Sequence, residues 1–172
     1  MKENKPKLQL VKLGVIGDSM AGKTSIINSI MNIEYTENLI STIGVEKLEA
    51  KFSLNDGHNI KLIIWDTTGQ ERAREMVFKT LKAVNGLILV FDVTGKNLFN
   101  NLDSWLKQIN NNLGNKLIIL FGNRIDLPKE RREVSTEEAK EYAEKNNLPY
   151  FEVSAKTGQG IKEGISYFVN EV

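Results

Sequence analysis

Gly17-Asp18-Ser19-Met20-Ala21-Gly22-Lys23-Thr24 matches G-x-x-x-x-G-K-[ST] without a gap. An apolar run, residues 8–16, precedes it, and Ile26, Ile27 and Ile30 recur at helical spacing after it. Strand, glycine loop and helix in that order make an anion-binding nest. Glycines let backbone N–H groups turn inward, and the helix N-terminus adds partial positive charge. Lys23 can then reach β- and γ-phosphate oxygens, and the Thr24 hydroxyl can ligate Mg²⁺. An ordinary turn with a helix-capping threonine would account for one of these features but not for all together.

The rest of the chain alternates short apolar runs with amphipathic segments, as strands linked by crossover helices do. The first helix reads from Lys23 to Ile33, and residues 34–44 read as a long loop. Runs at 45–54 and 59–65 flank Asn55-Asp56-Gly57, a hairpin signal, because glycine supplies the positive φ of the turn. Residues 66–72 read as a second loop, followed by a helix to about Val84. Near-continuous apolar runs at 86–92 and 116–122 suit strands covered on both faces. Between them Leu98, Phe99, Leu102, Trp105, Leu106, Ile109 and Leu113 share one helix face. Ser135 and Glu138 have capping-box spacing, 149–153 reads as a last strand, and a final helix starts near Gly160. The expectation is one α/β domain with six strands and five helices.

Composition mainly excludes. Twenty-three Lys+Arg against 22 Asp+Glu give a net charge of +1 over 172 residues. No unbalanced basic patch marks a nucleic-acid domain. The absence of cysteine excludes disulfides, thiolate metal sites and a nucleophilic thiol. The apolar runs are far shorter than the ~20 residues of a membrane-spanning helix, and Met1-Lys2-Glu3-Asn4 carries neither a signal-peptide core nor a myristoylation glycine.

Asn123-Arg124-Ile125-Asp126 follows an apolar run, at a strand end where open α/β sheets bind ligands. The Asp126 carboxylate could accept from guanine N1–H and its exocyclic amine, whereas adenine presents no donor at N1. Alone, the tetrapeptide would read as a loop turn with Asn and Asp as turn formers.

With these residues in view, the sequence resembles the small GTPases of the Ras superfamily, above all the Rab family, over residues 8–172. Ser41-Thr42-Ile43-Gly44-Val45-Glu46 is similar to the Rab switch I sequence S-T-I-G-V-D, and Trp65-Asp66-Thr67-Thr68-Gly69-Gln70-Glu71 to the W-D-T-A-G-Q-E opening switch II. Asn123–Asp126 is similar to N-K-x-D, and Ser154-Ala155-Lys156 to the S-A-K loop. The resemblance implies a three-layer P-loop NTPase G domain with a six-stranded, mostly parallel sheet and five helices. Residues 1–7 would be a flexible N-terminal tail and 8–172 a single GTP-binding domain.

By the same resemblance the protein binds GTP and GDP with Mg²⁺ and hydrolyses GTP slowly. Thr24, Thr42 and Asp66 serve the metal, Asp66 through water. Lys23, Thr42, Gly69 and Gln70 serve the reaction, Gln70 by orienting the attacking water and Gly69 by offering its N–H to the γ-phosphate. Gly17, Asp18, Ser19, Met20, Ala21, Gly22, Lys23, Thr24 and Ser25 cradle the phosphates, together with Thr42 and Gly69. Tyr35 lies against the guanine ring, and Asn123, Arg124, Asp126, Leu127, Ser154, Ala155 and Lys156 surround the base, with the Ala155 N–H helping to read it. Loss of the γ-phosphate would release Thr42 and Gly69, which is the switch. The implied partners are an exchange factor, a GTPase-activating protein and effectors at the switch loops. Nucleic acid is not among them, and the protein would be a monomer.

The sequence departs from the family at three site positions. Met20 replaces a glycine or another small residue; a positive φ there costs about 1 kcal/mol or more, and the side chain could obstruct an incoming arginine finger. Thr68 replaces alanine beside Gln70, and Arg124 replaces the lysine of N-K-x-D. Lys47, Thr80 and Leu81 stand where Rab partner recognition uses aromatics, while Ala73, Met76, Val77 and Phe78 suggest an apolar switch II surface. Arg72 and Arg74 lie in switch II without an assigned role. Trp105 reads as core, Trp65 as core or switch packing, and His58 as a solvated loop residue. Met20 and Thr68 keep open the alternative of a GTPase-like scaffold that holds nucleotide without efficient turnover; an adenine-nucleotide enzyme fails at Asp126. Asn170-Glu171-Val172 offers no cysteine for prenylation, which leaves three readings: a chain cut before a prenylated tail (the one favoured), one domain of a longer protein, or a protein that is never lipidated. The resemblance implies a cytoplasmic location. The protein would reach the cytosolic face of an intracellular membrane only through a lipidated tail beyond this chain.

Overall fold

β2 (Val45–Ser53) and β3 (Asn59–Thr67) form the hairpin foreseen from Asp56-Gly57, with Ser53 opposite Asn59 and Gly57 at φ 84°. The computed structural model describes residues 9–37 and 42–172. The N-terminal tail, Leu8 and Ser41 lie outside the described residues. β1 (Gln9–Gly17), β4 (Gly86–Asp92), β5 (Leu117–Asn123) and β6 (Tyr150–Glu152) complete a six-stranded sheet of order β2-β3-β1-β4-β5-β6. The β2–β3 pair is antiparallel and the other neighbours are parallel. Among the described residues five α-helices accompany it: α1 (Lys23–Ile30), α2 (Arg74–Thr80), α3 (Leu98–Leu113), α4 (Thr136–Lys145) and α5 (Ile161–Glu171).

The pleat of the central strands sorts the core into two layers. Val15, Ile88, Val90 and Phe121 face α1 and α5, meeting Ile26, Ile27, Ile165 and Phe168. Ile16, Leu87, Leu89 and Leu120 face α2, α3 and α4, meeting Val77, Leu102, Trp105 and Ala139. Each fully buried aliphatic or aromatic side chain contributes roughly 1.5–3 kcal/mol, so both layers are needed to hold the loops between them. Among the described residues no helix is long and apolar enough to cross a membrane.

Three boundaries differ from the sequence expectation, for local reasons. α1 stops at Ile30 rather than Ile33, because Asn32 takes a left-handed φ of 57°. Asn32 N–H then bonds to Ser29 O at 3.2 Å and Ile33 N–H to Asn28 O at 2.8 Å, a Schellman closure with asparagine in the glycine position. β3 runs through Asp66 and Thr67, which were expected in a loop, because Glu46 and Val45 of β2 pair with them. The helix expected to reach Val84 is α2 followed by a 3₁₀ turn, Leu81–Ala83. The α4 capping box is present, with Ser135 Oγ accepting the Glu138 N–H at 3.2 Å and Glu138 Oε2 accepting the Ser135 N–H at 2.8 Å.

Val77 and Phe78 correct the expected apolar surface: both are buried in the α2–α3 layer, leaving Met76 as the exposed apolar residue of that helix. Trp65 packs half-buried against the same layer. His58 is exposed beside the hairpin turn, within 2.9 Å of Asp56.

Candidate nucleotide site

The loops that follow β1, β3, β5 and β6 gather at one end of the sheet, where the strand order reverses about β1. Gly22 closes the phosphate loop at φ 95°, and a Cβ there would collide with the Asn123 side chain. Lys23, buried at the start of α1, donates from Nζ to the Gly17 carbonyl at 3.0 Å and the Asp18 carbonyl at 2.6 Å. Burial pushes its pKa down to about 8, against the opposing pull of Asp66 and Asp18. An anionic ligand beside it would restore the charge.

Three segments meet next to Lys23. Thr24 Oγ1 donates to Asp66 Oδ2 at 2.7 Å and lies 2.8 Å from Thr42 Oγ1. Asp66 is buried, and its Oδ1 has no hydrogen-bond partner. Burial, helped by Glu46, raises its pKa, against Thr24 and Lys23. Two oxygens in cis positions around an octahedral Mg²⁺ with ~2.05 Å bonds sit about 2.9 Å apart. The separation of the threonine hydroxyls and the unpaired carboxylate oxygen behind them therefore fit magnesium. Among the described residues no cluster of three or more His, Cys, Asp or Glu could hold a metal, so the candidate site rests on hydroxyls.

Two adjoining cavities open over these groups. Ser19, Lys23, Thr24, Thr42 and Gly69 line the phosphate half. Asn123, Asp126, Leu127, Ala155 and Lys156 line the base half. Gly22, Ser25, Tyr35 and Arg124 belong to both, and Met20 to the phosphate half. Tyr35 is thus brought to the junction, with its ring partly exposed. Gly69 lies so close on Asp18 and Ser19 that a Cβ would meet their backbone atoms.

Several expected residues are tied by hydrogen bonds that fix the wall or hold them away from it. Asn123 is buried; its Nδ2 donates to Ala21 O at 3.0 Å and its Oδ1 accepts the Ala155 N–H at 3.1 Å. The Ala155 N–H, expected to help read the base, is thus donated to Asn123. Ser154 Oγ donates to Asp126 Oδ1 at 2.7 Å and accepts the Thr157 N–H at 3.1 Å, which orients the carboxylate. Asp18 turns its carboxylate away to α3, accepting from Trp105 Nε1 at 2.8 Å and Asn101 Nδ2 at 2.9 Å. Gln70 lines neither half: its Oε1 accepts from Arg72 Nε at 3.0 Å, and its N–H bonds to Thr68 Oγ1 at 3.2 Å.

Sequence reasoning passed over several contributors. Glu37 lines both halves and pairs with Lys156 at 3.3 Å, and Arg131 lines the base half. Asp92 pairs with Arg124 at 2.7 Å. Its position at the C-terminal end of β4 was the signal that could have found it. Trp105 is core as expected, yet its indole N–H reaches the phosphate loop, and the Arg74 guanidinium stacks 4.2 Å from its ring.

The Ras family model matches residues 12–172. Ras-related protein Rab-1 of Theileria parva is 42% identical over 159 residues, spanning 91% of this chain and 71% of the relative. Ras-related protein RABE1e of Arabidopsis thaliana is 37% identical over 155 residues, 90% of this chain and 71% of its own length. Ras-related protein Rab-27B of Bos taurus is 35% identical over 167 residues, 91% of this chain and 76% of its own. With the loop order, the sheet topology and these likenesses in agreement, the chain belongs to the Ras family and is a Rab-like small GTPase, a GTP hydrolase.

Proposed function

We propose that this chain is a guanine-nucleotide switch that binds GTP and GDP with Mg²⁺, hydrolyses GTP slowly and changes shape to recruit effectors in vesicle trafficking. The observation that carries the reading is the meeting of Thr24, Thr42 and Asp66 beside the buried Lys23. These groups come from three segments far apart in sequence, and they suit a polyphosphate with its cation.

Thr24 and Thr42 would hold the magnesium ion, with Asp66 behind Thr24, and the ion's chemistry there is neutralisation of phosphate charge. Lys23 binds the β- and γ-phosphate oxygens once it lets go of the Gly17 and Asp18 carbonyls. Asp126 accepts from the base, held in aim by Ser154. Gln70 orients water for attack on the γ-phosphorus; the bond to the bridging oxygen breaks, leaving GDP and free phosphate. Thr42 and Gly69 lose their partner at that moment, and the loops that carry them relax. Exchange factors, activating proteins and effectors would act on those loops.

A second reading, a scaffold that keeps nucleotide without turnover, is favoured by the engagement of Gln70 with Thr68 and Arg72. Single-turnover hydrolysis separates the two. Stripped protein is loaded with GTP and Mg²⁺, or with ATP as the control, and release of GDP and phosphate is followed for hours. Loading by GTP and not ATP, then slow release of free phosphate, supports the switch. Intact GTP after the same hours supports the scaffold, and equal loading by ATP sinks both.

A further inference from the structure

α2 has 7 residues, too few to persist as a helix alone, so its place is set by what its side chains grip. Val77 and Phe78 anchor its second half in the core. In the first turn Glu75 and Met76 face solvent, while Arg74 turns inward with its side chain only 16% exposed. The guanidinium carbon lies 4.2 Å from the centre of the Trp105 ring, and Nη2 lies 4.0 Å from Asp18 Oδ1. Phe78 meets the same indole, with ring centroids 6.3 Å apart. α2 therefore grips Trp105 with two side chains that share one helix face.

That indole is in turn tied to the phosphate loop. Trp105 Nε1 donates to Asp18 Oδ1 at 2.8 Å, and Asn101 Nδ2 donates to Oδ2 at 2.9 Å. A carboxylate drawing on the indole N–H makes the ring face more negative, and it adds its own pull on the guanidinium. Packing alone does not call for arginine here. Arg74 Nε is buried without a hydrogen-bond partner, a cost that an apolar side chain would avoid. Nor does Arg74 line either half of the cavity, so its part is not contact with the nucleotide.

Gln70 stands one 3₁₀ turn ahead of this anchor. Ala73 N–H returns to Gln70 O at 3.1 Å, and Arg74 N–H to Glu71 O. At about 2 Å of rise per residue, such a turn puts roughly 8 Å and little slack between Gln70 and Arg74. We propose that Arg74 is a positioning residue for GTP hydrolysis: seated on Trp105 beside Asp18, it fixes the far end of the segment that carries Gln70. The proposal rests on the switch reading of the site. With the anchor in place, Gln70 has one short turn to rearrange as it meets the attacking water. Without it the turn wanders with the start of α2, and productive placements of the glutamine become rare. GTP binding, which other loops carry, is unaffected.

The test follows single-turnover hydrolysis of GTP on the full chain with Mg²⁺, beside GTP affinity, in a cycle with Gln70→Ala. Arg74→Met keeps an unbranched stem against Trp105 and removes the guanidinium with its unpaired Nε. It is expected to slow hydrolysis about tenfold, with GTP affinity within about twofold of the unsubstituted chain. In the Gln70→Ala background nothing is left to position, and the same substitution should change the rate by less than about twofold. A rate within about twofold in the Gln70 background, equal slowing in both backgrounds, or a loss of affinity matching the loss of rate overturns the role. Should Arg74→Met lose its circular dichroism, Arg74→Gln in both backgrounds carries the same expectations. An unsubstituted chain that keeps its bound GTP intact overturns the switch reading and this role with it; one that hydrolyses GTP at a rate the variants share overturns this role alone.

Discussion

On the base side of the cavity, Asn123 is bonded to Ala21 and Ala155, Arg124 to Asp92 and Met20, and Asp126 to Ser154. Each of these bonds ties one segment to another. On the switch side, Gln70 bonds to Thr68 and Arg72, its own neighbours, and Ala73 N–H returns to the Gln70 carbonyl. The longer links there are the Thr68 N–H to Gly44 O and the Thr42 hydroxyl beside Thr24. The second of these uses atoms that a cation would claim. The base side is organised in advance by the protein, whereas the switch side is organised around what the cavity holds. A site so divided can keep its selectivity in every nucleotide state while its surface changes.

The most severe break in this comparison comes from the base side. Asp126→Ala removes a carboxylate that would accept two donors, each charge-assisted bond being worth roughly 1.5–3 kcal/mol. GTP affinity is expected to fall by about 10²–10⁴, with folding intact, because Asp126 is exposed and bonded only to Ser154. Competition between labelled GDP and unlabelled GTP measures it. A loss below about tenfold would mean that the base is held by something other than this preorganised carboxylate.

A smaller effect sharpens the structural half of the comparison. Glu152 of β6 accepts from Arg132 at 2.6 Å, Thr136 at 2.9 Å and Tyr150 at 3.1 Å, just ahead of the Ser154–Lys156 loop. Burial raises its pKa, but the hydrogen bonds from Arg132 and Thr136 outweigh it and leave the carboxyl below its ordinary value of 4.5. A carboxylate with a depressed folded pKa adds stability above its unfolded pKa and loses it as pH falls through the folded value. Glu152→Gln is therefore expected to cost about 1–3 kcal/mol at pH 7, with the difference shrinking below pH 4.5. Urea unfolding of both proteins across that range reads it. A gap that stays constant in acid would assign the loss to packing instead of charge.

What the sequence makes legible follows from how far apart the cooperating residues lie. The phosphate loop, the Asn123–Asp126 turn and the Ser135–Glu138 cap are local patterns, and each forms where its spacing placed it. The two-sided core also shows, as near-continuous apolar runs in β4 and β5. The partners of Asp18 on α3 and the pairing of Arg124 with Asp92 do not show, because nothing in either local pattern names the other segment. Val77 and Phe78 were misplaced because α2 has 7 residues, too few to display a helical period. The stop of α1 hung on a single asparagine adopting a glycine backbone, a choice that composition does not announce.

The mildest expected effect lies on the switch side and concerns rate alone. Thr68 is 3% exposed just past the end of β3, and its backbone N–H bonds to Gly44 O at 2.8 Å, a link that any side chain preserves. What the side chain adds is the Oγ1 that accepts the Gln70 N–H, holding that residue in extended backbone with its amide oxygen on Arg72. On the proposed mechanism Gln70 would have to leave this arrangement to orient water. Thr68→Ala removes the restraint and keeps the backbone link, so single-turnover hydrolysis should speed up by about three- to tenfold, at most about 1.4 kcal/mol of barrier. GTP affinity should stay within about twofold, since Thr68 lines the phosphate half but its hydroxyl bonds to Gln70 and not to Lys23, Thr24 or Thr42. An affinity change as large as the rate change would erase the division between the two halves of the site. An unchanged rate would place the restraint on Gln70 in the Arg72 contact, and Arg72→Ala would then carry the acceleration.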